Sequence, residues 1–156
     1  MPSALPLDAY DVRILTELQA DARTSLAELG RRVHLSQPAV AERVRKLEAA
    51  GVITGYRATV NLAQLGYGIR ALVRVGRTEF EGMVRLIAQR PEVVNAWNIT
   101  GEDSWLLEIA VTDVQHLDAV VTQMCELAET STSIILKTVL GNRVMLPPAK
   151  STPPVQ

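Results

Sequence analysis

Residues 25–51 read SLAELGRRVHLSQPAVAERVRKLEAAG, and this stretch decides the fold of the first part of the chain. Ser25, followed three residues later by Glu28, is a typical capping box at the start of a helix. Helical spacing then places three apolar side chains on one face, namely Leu26, Leu29 and Val33. The pattern predicts a short amphipathic helix with one apolar face.

A second helix is predicted directly after the turn His34-Leu35-Ser36. Ser36 is a favoured N-cap residue, and Pro38 falls in the first turn, where its missing N–H costs nothing. Gly51 is typical of the residue after a helix end. The buried stripe recurs at i, i+4 and i+7, at Val40, Val44 and Leu47. Two short helices joined by a tight turn are a device for placing side chains in the DNA major groove.

The outer face of this second helix carries the residues that we expect to contact DNA. Recognition helices read base edges with their N-terminal residues, here Gln37, Pro38, Ala39 and Glu42. The cap residue Ser36 is also counted among the DNA-binding residues. Gln can read adenine, Glu can accept from cytosine, and Ala or Pro can touch a thymine methyl. Cations that we expect to hold phosphates are Arg43, Arg45, Lys46 and, from the edge of the domain, Arg57. The alternative is a solvated helix with ordinary surface charges.

Charge is distributed unevenly along the 156 residues, although the formal net charge is only −1. Between Arg23 and Arg57 there are seven cations and three anions, whereas from residue 61 onward there are eight cations and ten anions. A basic segment followed by a mildly acidic remainder suits DNA binding at one end of the chain and a different task at the other.

The composition indicates a globular protein with aliphatic cores, since hydrophobic residues make up 47% and aromatic residues 4%. No apolar run is long enough to span a bilayer, and the N-terminus lacks the basic-then-apolar pattern of a signal peptide. We therefore expect a cytoplasmic protein. The single cysteine, Cys125, lies in an apolar helical pattern and is expected to be buried and unreactive.

The residues on either side of the helix pair complete the first domain. Asp8 is expected to cap a further helix. The negative charge of Asp11, three residues later, interacts favourably with the positive N-terminal end of that helix. Residues 52–60 look like a turn that leads into a strand, because Gly55 can take a positive φ and β-branched residues suit extension. Residues 61–67 have no strong period, and we interpret them as the linker to a second domain.

After residue 67 the apolar pattern changes from helical to alternating. It predicts strands at 68–75, 93–100, 105–112 and 133–140, with helices at 80–90 and after Asp113. This order is the ferredoxin-like βαββαβ arrangement, so the fold class is α+β. One face of the sheet is not covered by the helices. On it Leu72 lies between two arginines, together with one of the two tryptophans, so this face is neither fully polar nor fully apolar. We expect a partner chain there, which implies a two-fold homodimer and a palindromic DNA site.

Residues 8–67 resemble the N-terminal part of the leucine-responsive regulatory protein/AsnC (Lrp/AsnC) family of prokaryotic transcription regulators. The residues that carry the resemblance are Leu7-Asp8, Ile14-Leu15, Arg23, Leu26-Ala27-Glu28-Leu29, Leu35-Ser36, Val40, Arg43-Val44, Leu47-Glu48, Gly51-Val52-Ile53 and Gly55-Tyr56. Together with the patterns above, this gives a winged helix-turn-helix domain over 1–60, the linker 61–67, a ferredoxin-like effector-binding and dimerisation domain over 68–142, and an extended Pro-rich tail over 143–156.

The second half is similar to the same family, most closely at Ile99-Thr100-Gly101-Glu102-Asp103-Ser104-Trp105-Leu106-Leu107. In the family this glycine–acidic turn helps to form an amino-acid pocket at contacts between dimers, and the loop before the last strand supplies a second lobe. The resemblance implies an effector site at Thr100, Gly101, Glu102, Asp103, Ser104, Thr130, Thr132 and Ser133. Asp103 would hold the ligand ammonium. A bulky Trp105 near the mouth would alter which ligand fits or would leave the site empty. The alternative is an ordinary hairpin turn and an ordinary loop.

These patterns predict a sequence-specific DNA-binding transcription regulator, with no cofactor and no metal. A small effector, an amino acid, is expected to change its assembly or DNA affinity, with dimers joined into rings such as an octamer. The alternative is an effector-independent architectural DNA-binding protein of the same fold. An enzyme is not expected, because no Ser-His-Asp set, metal cluster, phosphate loop or dinucleotide motif is apparent.

Overall fold

A computed structural model of the chain describes residues 5–148. These residues form two compact units. The first unit contains the described residues up to Ala58 and those from Leu140 onward, and the second unit runs from Thr59 to Val139. The polypeptide therefore passes between the units twice. Residues 149–156, which include most of the predicted Pro-rich tail, lie outside the described part of the chain.

The first unit contains three helices: α1 covers Ala9–Ala20, α2 covers Leu26–Val33 and α3 covers Gln37–Ala49. Each begins where a side-chain oxygen accepts a hydrogen bond from a backbone N–H of the first turn, which removes one of the unpaired donors of a helix start. The capping side chains are those predicted, Asp8, Ser25 and Ser36. The capping box is complete only in α1, because Glu28 of α2 binds Arg31 and Arg32 instead.

Apolar side chains from the three helices form the core of this unit. The buried set confirms the predicted stripe of α3 and consists of Ile14, Leu29, Val33, Val40, Val44 and Leu47. Gly51 follows α3 with a φ of +69°, and the N–H of Val52 donates to Leu47 O at 2.9 Å, which closes the helix as predicted. Burying this aliphatic cluster stabilises the packing of the helices.

The strand expected within residues 52–60 is wrong for this structure. Residues 54–60 contain no strand and make no backbone hydrogen bond among the described residues. An extended segment becomes a strand only where a neighbour completes its ladder, and β-branched composition alone cannot supply that neighbour. The expected linker is also partly ordered, because Asn61 caps a short 3₁₀ helix, Leu62–Leu65.

The second unit has the predicted order of strands and helices. In chain order it contains β1 (Ile69–Val75), α4 (Phe80–Ala88), β2 (Val93–Asn98), β3 (Trp105–Val111), α5 (Val114–Cys125) and β4 (Thr130–Ile134). The strands form one four-stranded sheet in the order β2-β3-β1-β4, and every neighbouring pair is antiparallel. This is the ferredoxin-like arrangement. None of the helices in the described chain has the length and hydropathy needed to cross a bilayer.

Both helices of this unit pack on the same face of the sheet. The core consists of alternate residues of β1 and β3 with inward residues of the helices, including Val73, Leu107, Met83, Val120 and Met124. Cys125 was expected to be buried, but it is exposed, since α5 turns its buried stripe at Leu117, Val120 and Met124 inward and Cys125 lies beside that stripe. Its Sγ lies 3.0 Å from Thr130 Oγ1.

The last strand begins earlier than predicted. A strand was expected at 133–140, whereas β4 is Thr130–Ile134 and pairs with β1 from Val75↔Thr130 to Ala71↔Ile134. Polar Thr and Ser residues suit an edge strand because one side of it faces solvent, so hydrophobicity was a poor guide to its position. Residues 135–148 contain no regular element.

The opposite face of the sheet carries a buried charge. Glu108 of β3 is only 9% exposed and accepts hydrogen bonds from the guanidinium of Arg70 on β1 and from Asn95 Nδ2 of β2, at 2.8 Å. Burial alone would raise the pKa of Glu108, but the hydrogen bonds from Arg70 and Asn95 outweigh it and hold the pKa below its ordinary value. Leu72 and Trp97 lie on this face, so its predicted mixed character is confirmed.

The lowered pKa of Glu108 gives a pH-dependent contribution to stability. A group whose folded-state pKa is depressed stabilises the fold above its unfolded pKa, and this contribution is lost as the pH falls through the folded pKa. We expect Glu108→Gln to lower the melting temperature at pH 7 and to flatten its decline below the ordinary carboxyl value of 4.5. Thermal melts across pH measure this, with exposed Glu129→Gln as the control. A Glu108→Gln curve parallel to that of the unmodified chain would contradict it.

Candidate functional site

The turn between α2 and α3 depends on a close backbone approach. His34 takes the left-handed conformation at φ +59°, and the N–H of Leu35 donates to Gly30 O at 2.9 Å. A Cβ placed on Gly30 would lie 2.7 Å from Leu35 O, which is shorter than real contacts allow. Only glycine fits there without backbone movement. The sequence patterns had not identified Gly30, because a helix-interior glycine gives no signal until the turn packs on it.

The predicted base-reading residues lie together at the start of α3. Ser36, Gln37 and Pro38 are exposed, whereas Ala39 is half-buried. Ser36 Oγ accepts from Ala39 N–H at 3.4 Å, which uses one lone pair for capping and leaves its O–H free to donate. The side-chain amide of Gln37 offers both a donor and an acceptor at this end of α3, so it can make the bidentate contact that recognises adenine.

The middle of α3 carries an ion cluster on its outer side. Arg45 Nη2 lies 2.7 Å and Lys46 Nζ 3.6 Å from the carboxylate of Glu42. The hydrogen bond from Arg45 lowers the pKa of Glu42, so this carboxylate is ionised and acts only as an acceptor. Arg45 and Lys46 are still 73% and 69% exposed, and pairs of this kind are weak. Phosphate oxygens can replace Glu42 as their partner at small cost.

Arg43 has a different position from the other two cations. Its Nη1 donates to Asp11 Oδ1 at 2.7 Å and to Asp8 Oδ2 at 2.8 Å, and its guanidinium lies 5.4 Å from the centroid of the Tyr10 ring. The hydrogen bonds with Asp11 and Asp8 raise the pKa of Arg43. Arg43 therefore joins α3 to the capping box of α1. Sequence reasoning missed this role because the partners are 32 and 35 residues away.

Arg57 is exposed and lies within residues 54–60, which make no backbone hydrogen bond among the described residues. Its neighbour Tyr56 donates through its hydroxyl to Glu48 Oε1 at 2.9 Å. Burial, with the adjacent Glu48 carboxylate, raises the pKa of Tyr56 to about 12, so the phenol remains a donor at physiological pH. This side-chain bond ties the segment that carries Arg57 to the C-terminal end of α3.

The predicted effector turn joins β2 to β3. Gly101 has a φ of +124°, a conformation that L side chains rarely adopt, and no atom lies within 4 Å of the Cβ position. Ile99 N–H donates to Ser104 O at 2.9 Å, and Ser104 N–H donates to Val75 O at 2.9 Å. Thr100 and Glu102 are exposed, whereas Asp103 is half-buried. The turn thus lies beside the end of β1.

The second predicted lobe lies on the other side of the same strand end, because Val75 pairs with both Trp105 and Thr130. Both lobes therefore lie at the same end of the sheet, on either side of the last residue of β1. Thr130, Thr132 and Ser133 were expected in a loop, but they belong to β4, where neighbouring side chains point to opposite faces. Thr130 and Thr132 share the helix-covered face and Ser133 lies on the other, so one pocket on either face cannot use all three. Thr130 Oγ1 also contacts Cys125 Sγ.

Trp105 does not stand at the mouth of a pocket, contrary to expectation. It is 5% exposed, belongs to the core and stacks on Phe80 with ring centroids 5.2 Å apart. In the alternation of β3 it shares the helix face with Leu107 and Ile109. Its bulk therefore supports the position of α4 and does not restrict a ligand.

A further polar pair was not identified from the sequence. His116 is half-buried, and its Nε2 lies 3.1 Å from Glu92 Oε1. Its N–H donates to the cap residue Asp113 at 2.8 Å. Burial raises the pKa of Glu92, but its hydrogen bonds, including the one with His116, outweigh burial and lower it. The pair joins the start of β2 to the first turn of α5.

Comparison with known proteins assigns both units. The AsnC-type helix-turn-helix domain matches residues 7–48, and the Lrp/AsnC ligand-binding domain matches residues 70–145. The leucine-responsive regulatory protein of Rhizobium meliloti (strain 1021) is 39% identical over 142 residues, which cover 88% of this chain and 90% of that protein. Among solved structures, LrpC of Bacillus subtilis is 31% identical, with a TM-score of 0.82 over 86% of this chain and 98% of that chain.

Two similar structures contain an amino acid. A transcriptional regulator from Neisseria meningitidis in complex with L-Met is 28% identical, with a TM-score of 0.83, and the match covers 90% of this chain and 96% of that one. A feast or famine regulatory protein from M. tuberculosis complexed with L-methionine is 31% identical, with a TM-score of 0.83, over 91% of this chain and all of that one.

The contacts of Arg43 and Arg45 lead to opposite expectations for these adjacent arginines. Arg43→Ala removes two charged hydrogen bonds between α1 and α3, and we expect it to lower the free energy of unfolding by about 1–3 kcal/mol. Arg45→Ala removes only a pair within one exposed face and should leave that free energy nearly unchanged. Urea unfolding followed by circular dichroism measures both. Equal losses of stability for the two variants would contradict the assignment of Arg43.

Proposed function

The chain belongs to the Lrp/AsnC family of transcription regulators, and we propose that it is a sequence-specific DNA-binding regulator whose assembly or DNA affinity changes when an amino acid binds. A regulator that binds chromosomal DNA acts in the cytoplasm. The observation that carries the proposal is the division of roles on α3. Its N-terminal end is exposed, its two outermost cations are weakly engaged, and a third cation fixes the helix in place.

The two exposed cations of α3 suit the phosphates on either side of the major groove, and the amide of Gln37 suits base reading. Arg57 adds a cation outside the helix. The proposed phosphate contacts are therefore Arg45, Lys46 and Arg57, while Arg43 acts by orienting α3. Ser36, Pro38, Ala39 and Glu42 complete the surface that meets the groove.

A single copy presents few cations, so we propose that useful affinity requires at least two copies. The mixed sheet face with Leu72, Trp97 and the buried Glu108 supports a two-fold partner, because a charge is rarely buried at a surface that stays open to water. A homodimer places two recognition helices in symmetric relation, which requires a palindromic site. Further assembly of dimers, up to an octamer, is part of the proposal.

We place the effector at the end of the sheet where the 99–104 turn and the start of β4 lie on either side of Val75. Exposed backbone at Gly101 and the half-buried Asp103 offer groups of both kinds that a free amino acid needs, N–H donors for its carboxylate and a carboxylate for its ammonium. The relatives bound to L-methionine support an amino acid over other small molecules. Thr100, Glu102, Ser104, Thr130, Thr132 and Ser133 are candidates for the remaining contacts, supplied by one copy or by neighbouring copies.

A second candidate function is effector-independent organisation of DNA. The observation that favours it is the placement of the β4 hydroxyls, since Thr132 and Ser133 lie on opposite faces and Thr130 already contacts Cys125. In that case the same helices bind DNA, and the end of the sheet around Val75 serves only to join copies of the chain.

The proposed phosphate contacts set the salt dependence of DNA binding. Each contact that is lost should reduce the magnitude of the log–log salt slope by roughly one. We expect Arg45→Ala with Lys46→Ala to weaken binding to duplex DNA and to flatten this slope in gel shifts across a salt series. Arg85→Ala, an exposed arginine of α4 in the other unit, is the matched control. An unchanged slope in the double variant rejects α3 as the phosphate-contacting helix.

The effector proposal predicts ligand-induced stabilisation. A ligand that binds the folded state at about 100 times its Kd adds roughly 2.7 kcal/mol, which raises the melting temperature measurably. We expect a thermal-shift screen of the twenty amino acids to show a selective increase, and Asp103→Asn to abolish it because the ammonium loses its counter-charge. Asp118→Asn, an exposed carboxylate of α5, is the control. A flat screen favours the architectural function instead.

A further inference from the structure

The first unit holds the end of the described chain by a main-chain clamp. Gln19, on the exposed side of α1, donates through Nε2 to Met145 O at 2.9 Å and accepts from Met145 N–H through Oε1 at 2.8 Å. A side-chain amide that pairs with both backbone groups of one residue imitates the exchange between two strands. The contact joins residues 126 positions apart, so chain proximity does not account for it.

An apolar groove lies under this clamp. It has a volume of about 720 Å³ and runs between α1 and residues 52–57. Its walls include Leu7, Leu15, Leu18 and Ile53, and its outer side is formed by Met145, Pro147 and Pro148. We name residues 144–148 the C-terminal strap. An apolar, proline-containing segment suits such a groove, because prolines hold it extended before it docks.

The strap packs loosely against the groove. Met145 remains 69% exposed, and Leu146 is not part of the groove wall. Apolar burial therefore contributes little to holding the strap, and the two hydrogen bonds of Gln19 are its principal anchor. A single substitution at Gln19 should therefore release the strap.

We propose that the groove between α1 and residues 52–57 is the docking site for the C-terminal strap of the same chain, with Gln19 as its recognition residue. The strap supports the segment that carries Arg57, which has no backbone hydrogen bonds of its own among the described residues. This support strengthens DNA binding, and for that consequence alone the proposal rests on the proposed function.

Hydrogen exchange of the full chain tests the docking without DNA. We expect Gln19→Ala to increase amide exchange in peptides that span Met145 by about tenfold, because the N–H of Met145 loses its acceptor. Gln19→Glu keeps an acceptor and loses the donor, so its exchange should lie between the two. Gln115→Ala, an exposed glutamine of α5, is the matched control. Unchanged exchange in Gln19→Ala, with the control also unchanged, overturns the docking site.

Cross-linking determines whether the strap docks on its own chain. With Cys125→Ser removing the exposed thiol, Ala22→Cys and Met145→Cys place thiols on residues that both line the groove. The clamp survives, because Gln19 binds only the main chain of Met145. A short bismaleimide should give a cross-linked single chain on a denaturing gel. A cross-linked dimer overturns docking within one chain in favour of exchange between copies.

The consequence for DNA is measured by gel shift with duplex DNA. Gln19→Ala should weaken binding several-fold relative to Gln115→Ala. If exchange at Met145 rises and DNA affinity stays the same, the supporting role of the strap is overturned. If the unmodified chain binds no DNA at all, the proposed function fails, whereas the exchange and cross-linking results still decide the docking site.

Discussion

The ion pairs of Arg43 with Asp8 and Asp11 join α3 to α1, and the DNA-binding surface that we propose on α3 depends on them. The two carboxylates also cap α1, so one polar cluster starts one helix and holds another. Both bonds are made by Nη1 of Arg43. The planar guanidinium fixes the directions of its N–H groups, which suits a geometric role better than a flexible ammonium would. Gly30 completes the constraint by allowing the turn before α3 to approach α2. With α3 held at both its start and its middle, Gln37, Arg45 and Lys46 share a defined face.

The sheet unit follows a comparable rule on its uncovered face. Glu108 is shielded from water and satisfied by Arg70 and Asn95 from the two neighbouring strands. One carboxylate thus links three strands through side chains, in addition to the backbone ladder. Removing Arg70 leaves the buried carboxylate without its counter-charge, and removing Asn95 leaves Glu108 Oε2 without its hydrogen bond. Either loss costs more than the bond itself, because the unpaired group stays buried. The face combines this polar centre with exposed Trp97, a composition found where protein surfaces meet.

Local rules in the sequence predicted much of this fold. Caps at Asp8, Ser25 and Ser36, the stripe of α3 and the order of strands and helices in the second unit all follow from nearest neighbours along the chain. Features that depend on residues far away in the sequence could not be predicted from such local patterns. The Arg43 pairs, the strand expected at 52–60 and the buried Trp105 are of this kind. The start of β4 was misplaced because its Thr and Ser residues resemble a loop. Of the candidate site, the positions of the turn and of α3 were predictable, whereas the roles within them were not.

The double passage of the polypeptide between the two units means that the first unit is not continuous in sequence. Its three helices lie before residue 59, whereas Met145, whose main chain pairs with the side chain of Gln19, lies after residue 139. A fragment that ends near residue 60 would keep α1, α2 and α3 but would lack the main-chain partner of Gln19. During synthesis, this contact can form only after the whole sheet unit has left the ribosome.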